Sequence, residues 1–288
     1  MPLRLKILVA LLCSGLLSAC VTHTGQPAGA QPSPAGKQRF ERSNDLTYTP
    51  SAQTPPLQAD LFLPAGAKAA PVIVLIHGGG WRRGERGEMD GIAEAAAQRG
   101  YAVFNMSYRF APAHPYPAAL DDVRSAIGWV RAHAAEKGLD PSRVAVWGYS
   151  AGAHLAALAA TQTAPAALRP NALVAGGVPA DLVRASDSDL VKLFMGGDLA
   201  AMEDRYREAS PLLQVSADDP PGFFYHGTWD LIVWPGYSKQ MQAALSDAGI
   251  PAELYLIHGL GHIATFLFDG GAVEAALDFL DRQMPPKP

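Results

Sequence analysis

Arg143-Val144-Ala145-Val146-Trp147-Gly148-Tyr149-Ser150-Ala151-Gly152-Ala153-His154-Leu155-Ala156-Ala157-Leu158 decides the fold, because an apolar β-rich run passes within a few residues into a string of helix formers. Arg143 to Trp147 reads as a buried strand and Ala151 to Thr161 as a helix. Ser150 stands at the elbow between them, flanked by Gly148 and Gly152 in a G-x-S-x-G pattern. So sharp a turn leaves no room for a Cβ at either glycine, and it forces the serine into a strained conformation with its oxygen exposed. As a bare string the pattern is expected by chance roughly 0.1 times in a chain of this length and glycine content. Its place between strand and helix is what gives it weight.

Upstream, a second strand, Val72 to His77, leads into His77-Gly78-Gly79-Gly80-Trp81, a motif with a chance expectation of roughly 0.01. Three successive glycines let backbone approach a substrate oxygen and turn amide hydrogens toward it. The amides of Gly79 and Gly80, with that of Ala151 at the helix start, make the expected oxyanion hole.

A serine hydroxyl is a weak nucleophile and needs a base held by a third group. In a strand–elbow–helix protein of this kind the partners follow in the order serine, acid, histidine. Downstream, Phe223-Phe224-Tyr225 runs into His226-Gly227-Thr228-Trp229-Asp230, and a later strand into Ile257-His258-Gly259-Leu260-Gly261-His262. Asp230 and His262 are the candidate acid and base. His258 is the rival base, but it reads as the last residue of its strand, and His226 reads as structural. Asp218, Asp219 and Asp247 fall before a strand or inside a helix. His154, one turn beyond Ser150, reads as a packed helix residue, and His77 as an anchor of the glycine loop. Neither an H-E-x-x-H string nor a carboxylate cluster argues for a metal.

The wider chain is consistent with this reading. Its 288 residues, 49% hydrophobic and 17% charged, suit one large α/β domain. With 23 basic against 27 acidic residues it offers no electrostatic footprint for nucleic acid. Two cysteines, Cys13 and Cys20, fit no disulfide framework, zinc site or redox pair. Arg4 and Lys6 precede the apolar run Ile7 to Cys13, and Leu17-Ser18-Ala19-Cys20 closes the segment; this is a secretory signal with a lipobox-like end. The run is too short to span a bilayer, which takes roughly 20 apolar residues. The expected organisation is a signal peptide over 1–19, a flexible tether over 20–43 from a lipidated Cys20, and a catalytic domain over 44–288. The processed chain keeps 21 basic and 27 acidic residues, a formal −6, so the anchor must work through acyl chains rather than a basic patch.

Strands are expected at Leu46–Thr49, Leu57–Leu63, Val72–His77, Ala102–Met106, Arg143–Trp147, Leu173–Val178, Gly222–Tyr225 and Ala252–Ile257. Helices are expected at Gly87–Gln98, Pro117–Glu136, Ala151–Thr161, Tyr237–Ala248 and Gly271–Met284. That alternation is the mark of parallel βαβ units.

From about Asn44 to Met284 the chain resembles α/β-hydrolases of the carboxylesterase group, near the hormone-sensitive-lipase-like enzymes and the bacterial acetyl xylan or feruloyl esterases. The resemblance rests on His77-Gly78-Gly79-Gly80-Trp81, Ser107-Tyr108-Arg109-Phe110-Ala111-Pro112, Asp121-Asp122, Gly148-Tyr149-Ser150-Ala151-Gly152, Ala209-Ser210-Pro211, His226 to Asp230 with Val233, and Gly261-His262. It implies a mostly parallel sheet of about eight strands flanked by helices, a site at the strands' carboxyl ends, and a serine esterase without cofactor that forms an acyl-enzyme on Ser150. Small-molecule or polysaccharide-linked esters are the implied substrates, and the cell envelope the implied location, the outer membrane for a Gram-negative host. There is no room for a large N-terminal cap. The one cap candidate is the short insert Ala180–Asp219, helical over Asp187–Met195, which leaves an open site with Trp81, Tyr149, Trp229 and Trp234 as wall residues. Two alternatives stay open: an arylformamidase, because kynurenine formamidases carry a similar H-G-G-x-W segment on this fold, and a non-catalytic hydrolase-fold binding lipoprotein.

Overall fold

The computed structural model describes residues 21–31, 37–49 and 56–284. The expected signal segment and Cys20 lie outside the described residues.

Each of the eight expected strands is present, with a ninth at the edge. In chain order they are β1 (Val21–Thr24), β2 (Phe40–Thr47), β3 (Gln58–Pro64), β4 (Ala70–Ile76), β5 (Ala102–Met106), β6 (Leu139–Tyr149), β7 (Ala172–Gly176), β8 (Gly222–Gly227) and β9 (Ala252–Ile257). They form one sheet in the order β1-β9-β8-β7-β6-β4-β5-β3-β2. β4 to β9 run parallel, and β3 joins β5 antiparallel with β2 hairpinned outside it. β4 is buried along its whole length, as a parallel strand covered on both faces must be, which is why its sequence reads as continuous apolar residues.

Helices cover both faces. Val72, Val74 and Ile76 of β4 point to one apolar layer, with Leu120, Val123, Ile127, Leu155, Leu158, Met241 and Leu245. These come from α2 (Ala118–Ala132), α4 (Ala151–Thr161) and α7 (Gly236–Asp247). Ile73 and Leu75 point to the other layer, with Ala93, Ala97, Leu277 and Leu280 of α1 (Asp90–Gln98) and α9 (Ala272–Gln283). The expected helix over Pro117–Glu136 breaks at His133, after which α3 covers only Ala134–Lys137. α4 is buried on every side, so its alanines answer a need for close packing rather than for an amphipathic stripe.

The structure corrects the expected tether. Val21–Thr24 is not free chain but pairs antiparallel with β9, Val21 opposite Ile257 and Thr24 opposite Leu254. His23 seals the contact, its Nε2 3.0 Å from Glu253 Oε2. The insert 180–219 carries α5 (Asp189–Met195), and also α6 (Glu203–Glu208), which the sequence pattern did not suggest. It is seated rather than loose: Phe194 stacks on Trp81 at 4.7 Å between ring centroids, and Ser210 Oγ accepts the Leu182 amide while donating to Tyr206 O.

Candidate active site

The parallel strands deliver five segments to one end of the sheet. The glycine loop follows β4, Ser150 follows β6, Gly177 follows β7, Asp230 lies beyond β8 and His262 beyond β9. In-register pairs such as Ile76 with Gly148, Tyr149 with Gly176, and Gly227 with Ile257 bring these ends level.

Ser150 has φ 55 and ψ −121, a conformation that costs a non-glycine residue about 1–3 kcal/mol and persists only when neighbours enforce it. Its amide donates to Gly176 O at 2.8 Å. A Cβ on Gly148 would overlap the Gly152 backbone, and one on Gly152 would overlap the carbonyl of Ile76. Both glycines of the elbow are therefore required by backbone-to-backbone approach.

The three expected residues meet. Ser150 Oγ lies 2.8 Å from His262 Nε2, and His262 Nδ1 lies 2.6 Å from Asp230 Oδ2. The hydrogen-bond pattern assigns the ring proton to Nδ1, leaving Nε2 to accept from the serine hydroxyl. His262 opens a further helix, α8 (His262–Phe268), which was not expected. Tyr149 donates its hydroxyl to the His262 carbonyl at 2.6 Å. A Cβ on Gly177 would press on His262 Cε1 at 2.9 Å.

Asp230 is buried and fully engaged. Oδ1 accepts the Ile232 and Val233 amides at 2.9 and 2.8 Å. Oδ2 accepts both His262 and His226, the latter at 3.0 Å. Burial on its own would push the carboxyl upward, but the bonds from His226, His262 and Val233 outweigh it and hold the group well below the ordinary carboxylate range. The rival base His258 points elsewhere, its Nε2 2.8 Å from Thr22 Oγ1 at the sheet edge.

The other histidines of the motifs are structural. His154 is wholly buried, accepts the Trp81 indole N–H through Nδ1 at 3.2 Å, and donates through Nε2 to Ala209 O at 2.8 Å. Burial pushes it down to about 4, against a smaller upward pull from Ala209 O. His77 stacks on Tyr108 at 4.4 Å and hydrogen-bonds Gly78 O; burial takes it to about 4 as well. Both stay neutral at physiological pH.

The glycine loop lies against the serine: a Cβ on Gly78 would come within 3.4 Å of Ser150 Cβ. Gly79 and Gly80 have φ of 108 and 61, left-handed values open to glycine. Among the described residues no backbone or side-chain acceptor takes the amides of Gly79, Gly80 or Ala151.

Ser150 stands between two lobes. One, of about 530 Å³, is lined by the glycine loop, Arg82, Arg83, Glu88, Ile263 and Phe266. The other, of about 430 Å³, is lined by Trp81, Val191, Leu231, Trp234 and Tyr237. Leu190 and Ile232 border both. Of the four aromatics expected as walls, Tyr149 lines the first lobe, and Trp81 and Trp234 the second. Trp229 belongs to neither and projects into solvent, 72% exposed, on a loop whose backbone is held by the bond from the Trp229 amide to Leu260 O. Leu190, Ile232 and Ile263 are lining residues that periodicity could not reveal, since they come from loops and short helices. Among the described residues, no group of three or more His, Cys, Asp or Glu could hold a metal ion.

Comparison with known proteins places the chain among esterases in sequence and fold. The chain is 31% identical over 265 residues to the esterase LipQ of Mycobacterium tuberculosis, covering 83% of this chain and 62% of that protein. It thus spans less than two thirds of that relative's length. Of solved structures, an esterase from the Planctomycetes species Thermogutta terrifontis with butyrate bound superposes with a TM-score of 0.72 at 27% identity, over 88% of this chain and 96% of that one. A truncated carbohydrate esterase from gut microbiota superposes with a TM-score of 0.75 at 23% identity, over 88% and 99%. The BD-FAE family matches residues 59–245, well over half of the sequence, and the chain belongs to that family, on an α/β-hydrolase fold.

Proposed function

We propose that this protein is a lipid-anchored serine carboxylesterase. The observation that carries the activity is the unbroken relay from Ser150 Oγ through His262 to Asp230, at 2.8 and 2.6 Å, opening between two lobes. Ser150 attacks the ester carbonyl as its proton passes to His262 Nε2, forming the Oγ–C bond. Asp230 compensates the imidazolium. The amides of Gly79, Gly80 and Ala151, which no acceptor among the described residues takes, receive the oxyanion. Collapse breaks the bond to the alcohol, which leaves with the proton from His262. Water, deprotonated by His262, then attacks the acyl-enzyme, releasing the acid and returning the proton to Ser150.

The lobes suggest a division of labour. The lobe with Val191, Leu231, Trp234 and Tyr237 suits a short or medium apolar acyl group, and the lobe with Arg82, Arg83 and Glu88 suits a polar or sugar alcohol. Support for ester rather than formamide chemistry comes from the relatives, which are named esterases. The anchor reading rests on Leu17-Ser18-Ala19-Cys20: processing before Cys20 would leave an acylated first residue in the cell envelope. Two measurements test the proposal. Ser150→Ala should abolish hydrolysis of p-nitrophenyl acetate, and wild-type turnover by this variant would sink the mechanism. Mass spectrometry of the mature N-terminus should find a diacylglyceryl group on Cys20, and an unmodified N-terminus would remove the anchor.

A further inference from the structure

Large apolar side chains concentrate where β8 and β9 end. Trp229, Leu231 and Ile232 follow β8, and Ile263, Leu267 and Phe268 lie on α8 beyond β9; all six are exposed, Leu231 to 98%. Ile232 and Ile263 also line the cavity at Ser150, so the patch is the rim of the site. The stretches 228–234 and 262–268 contain two ionisable side chains, Asp230 and His262. Both are buried and bonded to each other. The outward surface of these two stretches is therefore uncharged as well as apolar, a combination that marks an interaction surface when it is continuous.

The edge strand indicates what covers it. β1 runs antiparallel to β9, and Val21 pairs with Ile257, the last residue of that strand. The chain therefore enters the sheet at the end where the Trp229 loop and α8 leave it. Cys20 directly precedes Val21, and one residue advances an extended strand by only about 3.4 Å. The described chain therefore begins beside the apolar rim, and an acyl group on Cys20 would be attached one residue before it.

We propose that the rim docks on the lipid bilayer, with the Ser150 mouth turned toward the membrane that holds Cys20. This rests on the lipid-anchored reading given above. Trp229 and its neighbours enter the boundary between headgroups and acyl chains, typically roughly 5–10 Å deep for such apolar faces. Amphiphilic esters residing in the bilayer surface then reach Ser150 without crossing water.

The test uses the full chain, matured in its host, purified and reconstituted into phosphatidylcholine vesicles with brominated acyl chains. Bromolipid should quench tryptophan fluorescence, and Trp229→Phe should remove most of that quenching. Leu267→Glu/Phe268→Glu, outside both lobes, should keep p-nitrophenyl acetate turnover while lowering quenching and reducing hydrolysis of a long-chain ester presented in the vesicles by about tenfold. Vesicle-anchored, active enzyme in which bromolipid leaves Trp229 unquenched would overturn the docking and leave the esterase and anchor readings standing. Shielding of Trp229 from acrylamide by a second copy or a protein partner in the absence of lipid would also overturn it. Absence of ester turnover with quenching intact would instead sink the esterase reading and support the docking.

Discussion

His226 and His262 share one oxygen. Asp230 Oδ2 accepts from His226 Nε2 at 3.0 Å and from His262 Nδ1 at 2.6 Å, while His226 Nδ1 is held by Ser238 Oγ at 2.7 Å. With Oδ1 taken by two amides, the carboxylate cannot turn without losing bonds, and a rotation would tilt the His262 ring away from Ser150. Hydrogen bonds to a charged group are worth about 1.5–3 kcal/mol. His226→Ala should therefore lower kcat on p-nitrophenyl acetate about tenfold with KM nearly unchanged. His226→Gln, whose amide can donate to the same oxygen, should recover most of the loss. Equal damage from both variants would show that only packing at position 226 matters.

The elbow makes a sharper demand. A Cβ on Gly152 would overlap the carbonyl of Ile76 and crowd that of His77 at 2.5 Å, whereas a Cβ on Gly87 meets nothing within 4 Å. Backbone carbonyls of β4 cannot yield without disturbing the centre of the sheet. Gly152→Ala should cost more than about 3 kcal/mol of stability, while Gly87→Ala should stay within about 0.5 kcal/mol. Urea unfolding of the two variants beside wild type measures the contrast.

The elbow was legible because two local signals change over within three residues: β-rich apolar residues before Gly148, alanines and leucine after Ser150. The helix limits Ala151 and Thr161 coincide with the expectation. β1 was not legible. Val21-Thr22-His23-Thr24 is only four residues long, lies beside Gly and Pro, and acquires its structure from the open edge of β9. The bond between His226 and Asp230 was equally hidden, since four residues of separation across a turn say nothing of which way a side chain points. The exposure of Trp229 is of the same kind, since it depends on the course of a loop rather than on the residue's character.

The two lobes predict separable effects on substrate choice. Trp234 lines the apolar lobe, its ring covered by Arg184 at 4.2 Å, while Arg82 and Arg83 line the other. Trp234→Ala should raise KM for a butyrate ester several-fold more than for the acetate of the same alcohol, about 1 kcal/mol of lost apolar contact per methylene or two. Arg82→Ala/Arg83→Ala should leave that acyl preference intact and change the ranking of alcohols. Esters varied separately in their two halves distinguish these outcomes, and an Arg variant that alters acyl preference would reverse the assignment of the lobes.

Acid stability should report the buried histidines. His154 and His77 titrate at about 4 in the folded protein, against 6.5 ordinarily, because burial penalises the charged ring. As pH falls from about 6.5 toward 4 the unfolded chain takes up protons that the native state refuses, so stability declines across that window, by up to about 3 kcal/mol for each group. Above 6.5 both states are neutral and the contribution is level. Asp140 and Asp230, held low, add their losses only below the ordinary carboxylate range. Asp121 and Asp219, which burial raises, work in the opposite sense just above it. Protonating His154 Nδ1 also removes the acceptor of the Trp81 indole, and Trp81, at φ 59, terminates the glycine loop. Acid should therefore loosen the oxyanion segment as it destabilises the fold. Denaturation midpoints at pH 7.5 and 5 should differ in wild type and differ less in His154→Gln, which carries no titrating group; parallel pH dependence in the two proteins would assign the effect elsewhere.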